Sequence, residues 1–431
     1  MIEWPIPPVE LPRVGRRAAT LVLFASLVIV MLGFGMIVPI MPFYVTHFGA
    51  SGRALGALMA VYSIMQFFFA PVWGRLSDRI GRKPVLLIGV SGFALSFALQ
   101  GLSQTLVQLF VTRALAGLLS SATLPTALAY IADTTEARDR AGGMGMMGAA
   151  MGLGMIFGPL IAGPLTESNL ALPAPLAGIL QFTVDPASGG RIDLSLPFLA
   201  SAAIALLDIP LVLWALPESL PAGRRRAPGS PTPSRLSLLA DALRGPAAFL
   251  FVSAFLLAFA LANLESILGL FGKERFEMGP TQIGLVMGLI GVLSVIQQGL
   301  VIGPLTRRIG EVRVLRAGLA VSVAGLVGLA LVPRTSQMIA MAAVFNAGNA
   351  LLRPSVAALI SQRACGGQGV AMGLENSFMS LGRVAGPLWG GASYDYGPTL
   401  PFWTAALAQL LALGLSFRLL REEPEGQAPG A

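Results

Sequence analysis

Twelve separate runs of mostly apolar residues, each long enough to cross a lipid bilayer, dominate this chain of 431 residues. A spanning helix needs roughly 20 such residues. That ruler gives spans at about 18–46, 54–74, 84–103, 106–131, 141–164, 196–216, 247–270, 281–303, 312–332, 337–361, 368–392 and 398–420, the tenth and eleventh being the most polar. Hydrocarbon offers no partner for a backbone N–H or C=O, so such runs must fold as helices that satisfy themselves. Composition agrees: 55% of residues are hydrophobic and 12% are charged, against about 25% charged in a soluble domain. Too little polar surface remains to cover a water-soluble globule. The 51 glycines fit as well, because small residues let membrane helices approach closely. Arg13, Arg16 and Arg17 precede the first run, which is too long for a signal h-region of about 7–15 residues and is expected to stay as a helix.

The formal charge of +8 forms no continuous basic face, so it does not point to nucleic acid. With both termini in the cytoplasm, inner segments hold 21 Lys and Arg and outer segments hold 5, the bias expected of a membrane protein. Cys365 and His47 are the single residues of their types. That removes an intrachain disulfide, a Cys-based metal site and most histidine chemistry; no metal or cofactor is expected, and His47 reads as a loop residue. Neither Lys83 nor Lys273 follows a phosphate loop of the GxxxxGK[ST] type, which argues against ATP hydrolysis. With no nucleophile constellation either, the chain is not expected to be an enzyme.

The spans fall into two sets of six. Residues 1–216 form the expected N-terminal half, 217–246 a Pro- and Arg-rich cytoplasmic linker with a short surface helix near 236–243, and 247–431 the C-terminal half. GRLSDRIGRKPVL at 74–86 aligns with GPLTRRIGEVRVL at 303–315, and GMIFGPLIAG at 154–163 with GRVAGPLWGG at 382–391. The two offsets, 229 and 228, agree to within one residue, so the halves are read as a parallel repeat of the kind that builds transporters. An extracytoplasmic insert at about 165–195 stands outside the repeat. Its alternating arms, ILQFTV and RIDLSL, flank a turn-rich stretch at 185–190, which predicts two antiparallel strands.

The segment Gly74-Arg75-Leu76-Ser77-Asp78-Arg79-Ile80-Gly81-Arg82-Lys83 resembles the signature between the second and third helices of the major facilitator superfamily. Arg113 and Gly117 resemble its RxxxG element, and Gly154, Gly158, Pro159 and Gly163 resemble its antiporter motif. Gly33, Pro39 and Pro42 are similar to the twelve-helix drug–proton antiporter branch. The resemblance implies an all-α membrane protein of two pseudo-symmetric six-helix bundles. It also implies a latch in which Asp78 faces the N-terminus of the eleventh helix, where a carboxylate is favoured. Arg79, Arg82 and Asp133 are expected to cluster nearby, with Gly74 and Gly81 shaping the turn. Arg307 stands at the Asp78 position of the second copy, so the latch is expected on one side only.

Ionisable residues within spans are functional candidates by default. In the fold that the resemblance implies, the seventh helix lines the cavity, so Glu265, beside Asn263, is the leading expected proton carrier, because desolvation disfavours its charged form. Glu375 is the second candidate and Arg113 the cation expected to tune them; Asp208, on a helix that the resemblance implies is peripheral, is expected to be structural. Met31, Met36, Phe67, Phe255, Phe259, Asn263, Gln297, Asn346, Asn349, Asn376 and Met379 are the candidate substrate cavity, an adaptable apolar wall with a few amides. The resemblance implies a secondary transporter, expected to be a proton-coupled exporter of lipophilic or amphipathic small molecules working by alternating access. It is expected to act as a monomer in the bilayer of a bacterial inner membrane, with the proton as coupling ion. A carrier for a specific metabolite, siderophore or lipid on the same scaffold is the competing reading.

Overall fold

The computed structural model describes residues 13–135, 140–167, 182–184, 191–220, 239, 242–245, 247–363 and 368–420. Among these the fold is all-α apart from one short strand pair. In chain order the elements are α1 (Arg13–Ile37), α2 (Met41–His47), α3 (Gly52–Ile80), α4 (Arg82–Gly101), α5 (Leu106–Ser120), α6 (Thr123–Thr134), α7 (Arg140–Thr166), β1 (Phe182–Val184), β2 (Arg191–Asp193), α8 (Leu196–Ala215), α9 (Ala248–Phe276), α10 (Pro280–Ile296), a π-helical turn (Gln297–Val301), α11 (Ile302–Ile309), α12 (Glu311–Leu331), α13 (Thr335–Arg363), α14 (Gln368–Tyr394) and α15 (Leu400–Leu419). Taking α5 with α6, and α10 with α11, eleven helical segments among the described residues have the length and apolarity to cross a membrane. The twelfth, α14, has the length, 27 residues, but carries Glu375, Asn376 and Arg383.

Three expected spans are interrupted. The first helix stops at Ile37, where Val38, Pro39 and Ile40 form a turn before α2. Pro39 and Pro42 lack the N–H groups that a continuous helix would use. The fourth breaks at Ser121 and Ala122, and the eighth contains the π turn and runs on to Ile309. The second span extends past 74 to Ile80, so most of the 74–83 signature is helical. It ends at Gly81, whose φ of 110° and ψ of 161° suit a residue without Cβ. Strands β1 and β2 pair antiparallel, with Phe182 opposite Asp193 and Val184 opposite Arg191. The intervening residues 185–190 lie outside the described residues, as do Cys365 and most of the linker.

The chain divides into two compact units: residues 1–231 with 266–291, and residues 232–265 with 292–431. In the first, Ala19, Leu23 and Leu27 repeat every fourth residue along α1 and pack with Tyr130, Met147, Ala150 and Val212. In the second, Leu250, Phe251 and Leu257 of α9 pack with Leu315, Leu319, Leu352, Val356 and Phe378. Lipid is as apolar as these side chains, so close packing rather than escape from water holds such cores. Gly348 and Gly325 show how tight it is: a Cβ at either would meet the backbone of the neighbouring helix in the α12–α13 pair.

Candidate functional site

In the first unit the charged signature closes into a network around Arg82. Its Nη1 lies 2.6 Å from Asp78 Oδ1 and donates to Ser77 Oγ at 2.6 Å, while its Nε donates to Asp133 Oδ2 at 2.9 Å. Ser219 Oγ donates to the same Asp133 oxygen at 3.4 Å. Arg82 is nearly buried, whereas the two aspartates keep 32% and 25% side-chain exposure. Arg79, expected in the cluster, is exposed, as is Arg75. Gly74 has open space where a Cβ would stand, so its position does not depend on lacking a side chain.

Glu218 belongs to this network and was not anticipated. One carboxylate oxygen accepts from Arg82 N at 2.8 Å and the other from Lys83 N at 3.2 Å. It thereby caps the N-terminus of α4, where the helix leaves unpaired donors. Tyr130 donates to Pro217 O at 2.8 Å, and Lys83 Nζ to Leu213 O at 2.6 Å, fixing the end of α8 beside the signature. An acid directly after the sixth span, in a segment otherwise rich in arginine, was the available signal.

The antiporter-type motif lies on α7, where the glycines serve two opposite contacts. A Cβ at Gly154 would stand 2.5 Å from Met31 Cβ, and one at Gly158 would stand 2.5 Å from Leu32 O. On the other side, a Cβ at Gly163 would meet the Thr281 backbone, and one at Gly284 the carbonyl of Pro159. Gly288 against Leu160 and Gly291 against Ile156 extend this second seam along α10. The second unit repeats the first contact: Gly386 leaves room for Phe259 O, which a Cβ would approach to 2.5 Å, and Gly382 abuts Phe255 and Phe259. So α14 packs on α9 as α7 packs on α1, at the positions the sequence offset of 228 pairs.

The intramembrane charges divide between the units. Arg113 is fully buried on α5. Its Nη2 approaches Met59 Sδ at 3.8 Å, and its guanidinium sits 4.8 Å from the Tyr62 ring centroid and 5.7 Å from that of Phe34. Ring faces return roughly 2 kcal/mol for a desolvated cation, less than the several kcal/mol that burying an ion costs. Asp208 is also buried and accepts from Ser26 Oγ at 2.8 Å, which ties α8 to α1. In the second unit Arg383 lies within electrostatic reach of Glu265, and Arg353 within reach of Glu375. The arginine beside each of these acids therefore comes from its own unit.

Several of the expected cavity residues are committed to packing. Asn263 Nδ2 donates to Pro401 O at 3.0 Å, Asn346 Nδ2 to Ser294 Oγ at 2.7 Å and Asn349 Nδ2 to Leu257 O at 3.4 Å. Met36 Sδ accepts from Ser201 Oγ, and Met36 and Met379 are buried. Asn376 is exposed, and Met31, Phe67 and Gln297 are half-buried. Phe255 and Phe259 stack with centroids 5.9 Å apart and line an apolar groove of about 550 Å³ with Leu256, Leu388, Trp389 and Ala408.

A sequence model described as Major Facilitator Superfamily matches residues 23–335 and 299–431. The chain belongs to the Major Facilitator Superfamily. Among curated members of that superfamily, it is 28% identical over 405 residues to Multidrug resistance protein 2 of Bacillus subtilis, covering 93% of this chain and 95% of that one. It is 31% identical over 379 residues to the class C tetracycline resistance protein of Escherichia coli, covering 86% and 88%. Among solved structures, the fold matches a bacterial homologue of the human lysosomal transporter Spinster with a TM-score of 0.77 at 15% identity, over 96% of this chain and 100% of that one. The two-bundle, twelve-helix membrane fold is that of the superfamily.

Proposed function

We propose that this chain is a proton-coupled exporter of lipophilic or amphipathic small molecules, working by alternating access in a bacterial cytoplasmic membrane with both termini inside. The observation that carries this reading is the double glycine seam of α7, at the residues that resemble the antiporter motif. Helices in backbone contact leave little room for leakage between them. The multidrug and tetracycline resistance relatives support export over uptake, and the apolar groove beside Phe255 and Phe259 suits lipophilic cargo.

Within this reading Glu265 carries the coupling proton and Glu375 is an auxiliary acid, and the cations beside them are Arg383 and Arg353 rather than the expected Arg113. Asp78, Arg82 and Asp133 form the conformational latch that biases one state of the cycle. The chain needs no cofactor. A membrane potential contributes about 2.3 kcal/mol per charge per 100 mV, roughly a fiftyfold gradient, so one proton per cycle is enough to drive accumulation. Glu265→Gln keeps the size of the side chain and holds it neutral. Proton-driven uptake into inverted vesicles is expected to vanish in this variant while dye binding in detergent persists. Undiminished uptake by Glu265→Gln would overturn the assignment.

A further inference from the structure

Arg113 is the fully buried cation beside which no described carboxylate stands. Asp208 can shed its charge by taking a proton; a guanidinium cannot, because arginine stays protonated in proteins. Arg113 Nε and Nη1 are both buried and have no acceptor among the described residues. Its ionisable neighbour is the Tyr62 phenol, not a carboxylate, and the Tyr62 hydroxyl is engaged with Ser120 Oγ at 2.9 Å. Donors arranged this way lack an anion.

The surroundings specify what kind of anion fits. Tyr62 is fixed by Ser120 and by Gly117, which admits the Tyr62 carbonyl where a Cβ would clash at 2.5 Å. Phe34 packs on Tyr62 with centroids 5.3 Å apart and is the partly exposed wall, while Met59 supplies a deformable thioether. Aromatic and thioether surfaces around one fixed cation match an oxyanion carried on a flat apolar body.

We propose that Arg113, Phe34, Met59 and Tyr62 form an anion-recognition subsite for substrate, which takes an aryl carboxylate or a similarly delocalised oxyanion. The proposal rests on the transporter reading and narrows its substrate class. An exported anion also gains from an inside-negative potential, so the subsite selects cargo that needs less of the proton gradient.

Equilibrium dialysis of the purified chain against 2-naphthoate and its methyl ester tests the subsite without any gradient, so failure of export and failure of this proposal are separable. The wild type is expected to bind the carboxylate about 10- to 100-fold more tightly than the ester, the worth of a charge-assisted hydrogen bond. Arg113→Met should level the two ligands by weakening the carboxylate alone, and Arg113→Lys should keep part of the preference. Equal binding of acid and ester by the wild type overturns the subsite even if Arg113→Met does not fold. Persistence of the preference in folded Arg113→Met overturns it too.

Discussion

The two copies of the cytoplasmic signature, 74–86 and 303–315, keep the same bend and differ in what surrounds it. Gly81 has φ 110° and ψ 161°, and Gly310 has φ 78° and ψ 158°. Each sits between two helices in a conformation that disfavours side chains. A cation also reaches the carbonyls ending the last span of each half, though not from matching positions: Lys83 to Leu213 O, and Arg316, just after the second copy, to Ser416 O and Leu420 O at 3.2 and 2.8 Å. Among the described residues, the network around Arg82 belongs to the first copy. At the offset of 229, Asp78 becomes Arg307 and Arg82 becomes Glu311, and Arg307 is exposed. What both copies retain is architecture; what only one retains is the candidate latch.

The largest expected effect breaks that difference. Arg82→Met leaves Asp78 and Asp133 unpaired and should cost about 2–4 kcal/mol, under the full penalty of a buried pair because both acids keep some exposure. It should lower the thermal midpoint in detergent and reduce transport, whereas Arg307→Met should change the midpoint little. Equal losses at the two positions would mean that the network is not special. Next come Gly81→Ala and Gly310→Ala, each expected to cost about 1–3 kcal/mol of backbone strain. Similar losses in both, read by the same melting assay, would support a common architectural role. Smallest are Lys83→Met and Arg316→Met, about 0.3–1 kcal/mol each for losing a cation at a helix C-terminus; faster hydrogen exchange at Leu213–Leu216 and Ser416–Leu420 would register it.

The same contrast shows what could be read without coordinates. Arg82 and Asp133 are legible through the resemblance to the family signature, and Gly81 because the repeat supplies Gly310. Glu218 was not, since it lies 136 positions from Arg82 at the start of a stretch that composition marks as linker. Hydropathy locates the spans but not the breaks at 38–40 and 121–122, because it averages over about 20 residues and a few such as Pro39 or Ser121 hardly lower it. The amides at 263, 346 and 349 were expected to face a cavity. Composition says that they must bond to something, and only the fold decides that the partners are Pro401, Ser294 and Leu257.

The seams along α7 carry an evolutionary consequence. In an ordinary core a side chain that grows can be matched by a neighbour that shrinks, and the pair drifts together. At Gly158 and Gly284 the opposing surfaces are the carbonyls of Leu32 and Pro159, and a carbonyl cannot be mutated smaller. No second-site change restores the fit, so these chemically plain positions are barred from compensated drift. Adaptation to new cargo must be written elsewhere, on side chains that have other side chains for neighbours.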